Sequence, residues 1–259
     1  MQLNALIAEP EDRATRPPLL IAHGLFGSAR NWNTLARRLA QGRRVAAVDM
    51  RNHGDSPRAP TQTYQDMAQD LADSIETLGA PADVLGHSMG GKAAMALALL
   101  RPELVRRLVV ADIAPVRYGH SHAHYIEAMR AVDLSRVRRR AEADAQLAER
   151  LEDRAMRAFL LQSLAAGPDG ARWKLNLEAL ERALPDIMDW PEALDARRFD
   201  GPALFVSGER SDYVTEAGRA RIRALFPQAR FAAIPGAGHW LHAEKPQEFL
   251  DEVAAFLAA

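Results

Sequence analysis

The chain has 259 residues, 48% of them hydrophobic and 26% charged, with 33 basic against 34 acidic side chains. A single globular domain with an ample core fits that length and composition, and the near-zero net charge excludes a general affinity for nucleic acid or anionic membrane. No cysteine is present, which excludes disulfides, thiolate metal sites and a thiol nucleophile. Met1–Pro10 lacks a basic segment leading into a long apolar core, so no secretory signal is expected. The longest apolar run, Ala93–Leu100, is too short to span a bilayer, and a cytoplasmic protein is expected.

Taken in chain order, short apolar runs alternate with helical stretches. Leu19–Ala22, Val45–Val48, Val84–Leu85 and Leu108–Ala111 each end at turn residues and read as buried parallel strands. Between them, Asn31–Ala40, Tyr64–Leu78 and Lys92–Leu100 carry apolar residues at helical spacing, with Gly79 and Pro102 as stops. From about Val116 to Arg198 no convincing strand is visible. Ser135–Ala166 reads as helical, Gly167-Pro168-Asp169-Gly170 as a turn, and Leu175–Leu184 as a helix ending before Pro185. Alternation resumes with strand Ala203–Val206, helix Glu216–Leu225, strand Phe231–Ile234 and helix Pro246–Leu257. The expected architecture is an α/β core over residues 1–115 and 199–259, mostly parallel with helices on both faces, interrupted by a helical insertion over 116–198.

The chemistry centres on Gly86-His87-Ser88-Met89-Gly90. This G-x-S-x-G lies between a strand and a helix, as a nucleophile elbow requires. The serine sits on a strained turn whose neighbours must be small, with the next helix directed at developing negative charge. Serine needs a base. His239, in the glycine-rich loop Gly236-Ala237-Gly238-His239-Trp240 after the last strand, is the candidate. His87 and His242 read as packing residues, and His23 as a buttress for the loop His23–Gly27. Two backbone donors should hold an oxyanion: the N–H of Met89 and that of Leu25, with Phe26 as the neighbouring alternative. Chain order asks for an acid between serine and histidine, and both Asp112 and Asp212 qualify.

The motifs His23-Gly24-Leu25-Phe26-Gly27-Ser28, Asp49–Pro57, Gly86–Lys92, Asp112-Ile113-Ala114-Pro115 and Gly238-His239-Trp240 together resemble the α/β-hydrolase superfamily over nearly the full length. Within it the chain is most similar to YbfF-type bacterial esterases and their mitochondrial relatives. The resemblance implies a helical cap and hydrolysis of acyl esters, a range that takes in acyl-CoA thioesters, with no metal or organic cofactor. It also favours Asp112 as the acid, with Ser211 in support, while Asp212 remains the rival. Carbon–carbon bond hydrolysis, cofactor-free haloperoxidation or non-hydrolytic ligand binding would use the same cleft.

Three further features read as structural. Asp49–Gly54 is expected to be a turn tied by an Asp–Arg contact. His120, His122 and His124 mimic a metal cluster but lack a carboxylate at clear spacing. Arg136-Val137-Arg138-Arg139-Arg140 reads as a solvated helix face, or more weakly as an attractor for an anionic substrate group such as a CoA phosphate.

Overall fold

The computed structural model describes residues 1–168 and 170–259. Seven strands form the central sheet: β1 (Ala5–Ala8), β2 (Leu19–Ala22), β3 (Val45–Val48), β4 (Ala82–His87), β5 (Val105–Ala111), β8 (Ala203–Gly208) and β9 (Ala229–Ile234). Their order is β1-β3-β2-β4-β5-β8-β9, all parallel except β1. A separate antiparallel pair, β6 (Leu164–Gly167) and β7 (Gly170–Trp173), lies in the segment between β5 and β8.

Side chains alternate across a strand, and here each set feeds a different core. Leu20, Ala22, Ala46, Val48, Val84, Leu108, Val110 and Phe205 pack with helices Tyr64–Leu78 and Met89–Leu100 on one face. Leu19, Ile21, Val45, Ala47, Leu85, Val109, Leu204 and Val206 pack with helices Asn33–Leu39 and Pro246–Ala258 on the other. With both faces covered, these strands are continuously apolar rather than alternating, which is why their runs stand out in the sequence.

The differences from expectation follow from the same rule. Strand β1 escaped notice because it is a four-residue edge strand with Ile7 exposed. Strands β4 and β5 begin earlier than their apolar runs because Asp83, Arg106 and Arg107 lie within them. Asp83 is fully buried and paired with Arg43 Nη1 at 2.6 Å.

The segment 116–198 is not free of strands, because β6 and β7 pair there. Nor is Ser135–Ala166 one helix. It divides into Arg140–Ala148 and Arg154–Leu160 before entering β6. Asp153 caps the second of these through the N–H groups of Ala155 and Met156. The expected turn at Gly167-Pro168-Asp169-Gly170 includes Asp169, which lies outside the described residues. Helix Leu177–Met188 continues through Pro185 instead of stopping there, since its buried stripe of Leu180, Ala183, Leu184 and Ile187 runs past the proline. Arg51 ties its turn not to Asp49 but to Asp70, with Nε at 2.6 Å. No helix among the described residues is long and apolar enough to cross a membrane.

Buried histidines fix the loops above the sheet. His23 Nε2 accepts the N–H of Met50 at 2.9 Å, and His53 Nε2 accepts that of Phe26 at 3.2 Å. His242 stacks on Trp32, with ring centres 4.3 Å apart. Burial penalises the imidazolium at His23, His53, His87 and His242. It holds each pKa below the ordinary histidine range, with His53 and His242 at about 3.

Two outcomes follow. Asp83→Ala strands the buried Arg43 charge and is expected to cost about 3–5 kcal/mol in urea unfolding. Unfolding restores the histidines to about 6.5, so the unfolded chain binds more protons in acid. Stability is therefore complete above about pH 6.5. It falls as pH drops below that value, by up to about 1.4 kcal/mol per unit for each such imidazole. Urea midpoints at pH 7 and pH 5 test this, and a higher midpoint at pH 5 would contradict it.

Candidate active site

Strand β4 ends at His87 and the next helix starts at Met89, leaving Ser88 alone in the turn. Its backbone is forced to φ 52°, ψ −119°, a strained conformation for a residue with a side chain. The turn closes so tightly that a methyl group on Gly86 would collide with the carbonyl of Gly90, and one on Gly90 with the carbonyl of Ala22. Ser88 N–H donates to the carbonyl of Ala111 at 3.0 Å, which fastens the elbow to β5.

Strand β5 leads directly into Asp112, which is fully buried and also has positive φ, at 52°. One carboxylate oxygen accepts the N–H of Gly208 at 3.0 Å. The other faces His239 Nδ1 at 2.7 Å and accepts the hydroxyl of Ser211 in a short hydrogen bond. Of the two acids weighed from sequence, the structure brings Asp112 to the imidazole. Asp212 is exposed and has no hydrogen bond to His239.

His239 lies in the loop after β9, with its side chain 23% exposed. His87 Nε2 holds the His239 carbonyl at 2.9 Å. The ring of His239 is also covered by Tyr213, a residue the sequence reading missed. The two rings stack with centres 4.0 Å apart and planes 19° from parallel. Tyr213 is held in turn from the segment after β5. Tyr118 donates its hydroxyl to the Tyr213 carbonyl at 2.8 Å, and His120 Nε2 meets the Tyr213 hydroxyl at 2.9 Å. The only available signal was the aromatic pair near the two acid candidates, and nothing in the spacing linked it to His239.

Leu25, Ser88 and Met89 border a small recess of about 20 Å³, large enough for about one water-sized group. The N–H of Phe26 is already engaged by His53, whereas among the described residues that of Leu25 has no protein acceptor. Leu25 is therefore the better-placed donor of the two. Lys92 also lines the recess. It is buried, donates from Nζ to the carbonyl of Asp189 at 2.7 Å and lies 4.8 Å from the Tyr118 ring centre. Burial lowers its pKa to about 7.

Ser88 and His239 open into a larger cavity of about 750 Å³, walled by Leu25, Phe26, Met156, Phe159 and Trp240. Of His120, His122 and His124 only His122 lines it, and burial holds that imidazole near pKa 4, disfavouring its charged form. Among the described residues no three His, Asp or Glu side chains are grouped to hold a metal ion.

A family model for the alpha/beta hydrolase fold matches residues 17–246. Over 259 residues the chain is 41% identical to Esterase YbfF of Escherichia coli (strain K12), covering 99% of each protein. It is 45% identical over 254 residues to the sn-1-specific diacylglycerol lipase ABHD11 of Mus musculus, covering 95% of this chain and 82% of that protein. A solved structure described as a marine microorganism esterase matches with a TM-score of 0.92 and 37% identity, covering 98% of this chain and 99% of that one. An elbow serine between strand and helix, loops that converge on it from the ends of β2, β5 and β9, and likeness along almost the whole chain agree: this protein belongs to the α/β-hydrolase family and is a YbfF-like carboxylic ester hydrolase.

Proposed function

We propose that the protein hydrolyses acyl esters and thioesters through an acyl-enzyme on Ser88, with His239 as base and Asp112 as the orienting acid. The observation that carries this reading is the 2.7 Å contact between His239 Nδ1 and the buried Asp112 carboxylate, beside a serine that opens into the same cavity. A carboxylate on Nδ1 fixes the tautomer in which Nε2 is the free acceptor.

Ser88 Oγ attacks the acyl carbon while His239 Nε2 takes its proton. The N–H groups of Met89 and Leu25 receive the oxyanion. The carbon–oxygen or carbon–sulfur bond then breaks, and the leaving group departs with the proton from His239. A water, deprotonated by the same nitrogen, attacks the acyl-enzyme, and the free acid leaves as Ser88 regains its proton. Asp112 stays ionised and stabilises the imidazolium.

Substrate class is read from the walls. Apolar side chains over most of a 750 Å³ cavity suit an acyl chain. Residues 116–198 supply Met156 and Phe159 to that wall and act as the cap that selects it. Likeness to the mouse diacylglycerol lipase supports lipid acyl esters as one group of substrates.

A fluorophosphonate should label wild type at Ser88, as located by mass spectrometry, and should leave Ser88→Ala unlabelled. Absence of label on folded wild type would sink the acyl-enzyme. Asp112→Asn should lower kcat on p-nitrophenyl hexanoate by roughly 10⁴-fold, because the imidazole is left in the wrong tautomer. Asp212→Asn should stay within roughly threefold of wild type, and the reverse ranking would exchange the two acids. Tyr213→Phe keeps the stacked ring and should retain most activity. Tyr213→Ala should lose roughly 2- to 12-fold in kcat, the scale of one aromatic contact.

A further inference from the structure

Beside the catalytic cavity lies a second one of about 710 Å³ whose walls are basic. Arg30, Arg138, Arg139, Arg140 and Lys174 line it. The two cavities share Arg30 and Gln162 as a common wall.

Some of this charge is already matched. Lys174 Nζ is held by both oxygens of Asp55 at 2.7 Å, and Arg139 pairs with Glu142 at 3.2 Å. Asp49, also in the wall, already accepts from the Asn4 side chain and from the N–H groups of Ala29 and Asp55. Glu142 accepts the N–H groups of Arg138 and Arg139, just before helix Arg140–Ala148 begins. Arg30, Arg138 and Arg140 remain. Among the described residues none of the three has a carboxylate partner, and Arg138 is steadied through one nitrogen by the carbonyls of Ser135 and Val137. The basic run expected to be one solvated helix face is instead broken. Arg136 ends a single 3₁₀ turn, and the α-helix begins only at Arg140. The break lets Arg138 and Arg140 line the same hollow as Arg30.

We infer that this basic hollow binds a phosphate group carried by the leaving-group half of the substrate. Guanidinium forks grip phosphate through paired N–H···O bonds and keep their charge at any working pH. The apolar cavity takes the acyl half, so a charged group on the other half is directed past Arg30 and Gln162 into the hollow. The inference rests on the acyl-transfer reading of Ser88. A phosphate of this kind could come from coenzyme A or from a lipid headgroup. The chemistry recognised is the same.

Two substrate pairs separate the sources. Decanoyl-CoA is compared with S-decanoyl-N-acetylcysteamine, and a decanoyl lysophosphatidate with monodecanoylglycerol. Within each pair the acyl group and the scissile bond type are unchanged; the second pair differs only in the phosphate, and the first in the phosphates together with the adenosine and pantoyl parts of coenzyme A, so the salt dependence of the ratio reads the phosphate part there. The readout is the ratio of kcat/KM, phosphorylated over unphosphorylated, in wild type and in Arg138→Ala/Arg140→Ala, with p-nitrophenyl hexanoate as a common reference. The ratio should fall about tenfold or more in the double variant for at least one pair, mainly through KM, and the wild-type ratio should shrink as salt rises. A fall confined to the first pair assigns the hollow to coenzyme A, and one confined to the second assigns it to a phospholipid. Equal ratios in wild type and variant for both pairs overturn the phosphate site, as does cleavage of the reference ester with none of the four substrates turned over. Failure to cleave the reference ester overturns the acyl-transfer reading itself.

Discussion

The Asp112 carboxylate has no contact with solvent, so its two oxygens must be supplied with donors by the fold. Three chain segments meet to do this: the end of β5 that carries it, the Gly208–Ser211 turn after β8, and the His239 loop after β9. The sheet order places these strands side by side, so one buried charge holds the loops of three neighbours in register. Remove the charge and Gly208 N–H, Ser211 and the imidazole all lose their common partner. The strained backbone at Asp112 and at Ser88 is tolerated because the parallel ladder on either side leaves neither residue another path.

Around this centre the protein replaces mobile support with aromatic contacts. The imidazole of His239 has Tyr213 on one side and His87 close by, and His87 in turn meets His242, which lies on Trp32. Burial keeps His87 and His242 neutral, so the packing adds no cation next to the base. Neutral neighbours leave the charge that develops on His239 to be answered by Asp112 alone.

What could be read in the sequence was whatever has a short signature. The buried parallel strands are apolar on both sides and appear as runs. The elbow needs glycines at fixed offsets, and the loops that approach it carry their own glycines. Arg43–Asp83 could not be read this way, because a charge inside a strand is interpretable only once its partner, 40 positions away, is known. The hairpin of β6 and β7 was hidden by Ala-rich residues that suit a helix equally well. The choice between Asp112 and Asp212 was a question of a few ångströms in a loop, which spacing does not encode and the β5–β8 register does. Tyr213 acts through contact with a residue 26 positions later, and no local pattern records that.

Lys92 has a bearing on how this architecture can diversify. Its stem belongs to the helix that starts at the elbow, yet its ammonium is held by the backbone carbonyl of Asp189, near the end of the segment between β5 and β8. That segment is thus riveted to the helix that follows Ser88 by a side chain on one part and a main-chain atom on the other. The hydrogen bond itself uses the main-chain carbonyl, while the Asp189 carboxylate adds a nearby negative charge that favours the ammonium. The path of the chain there is what must be preserved. Residues 116–198 exchanged for those of a relative would be accepted or refused on the path of the chain at 188–189, where Lys92 meets the main chain, however different the residues lining the cavity.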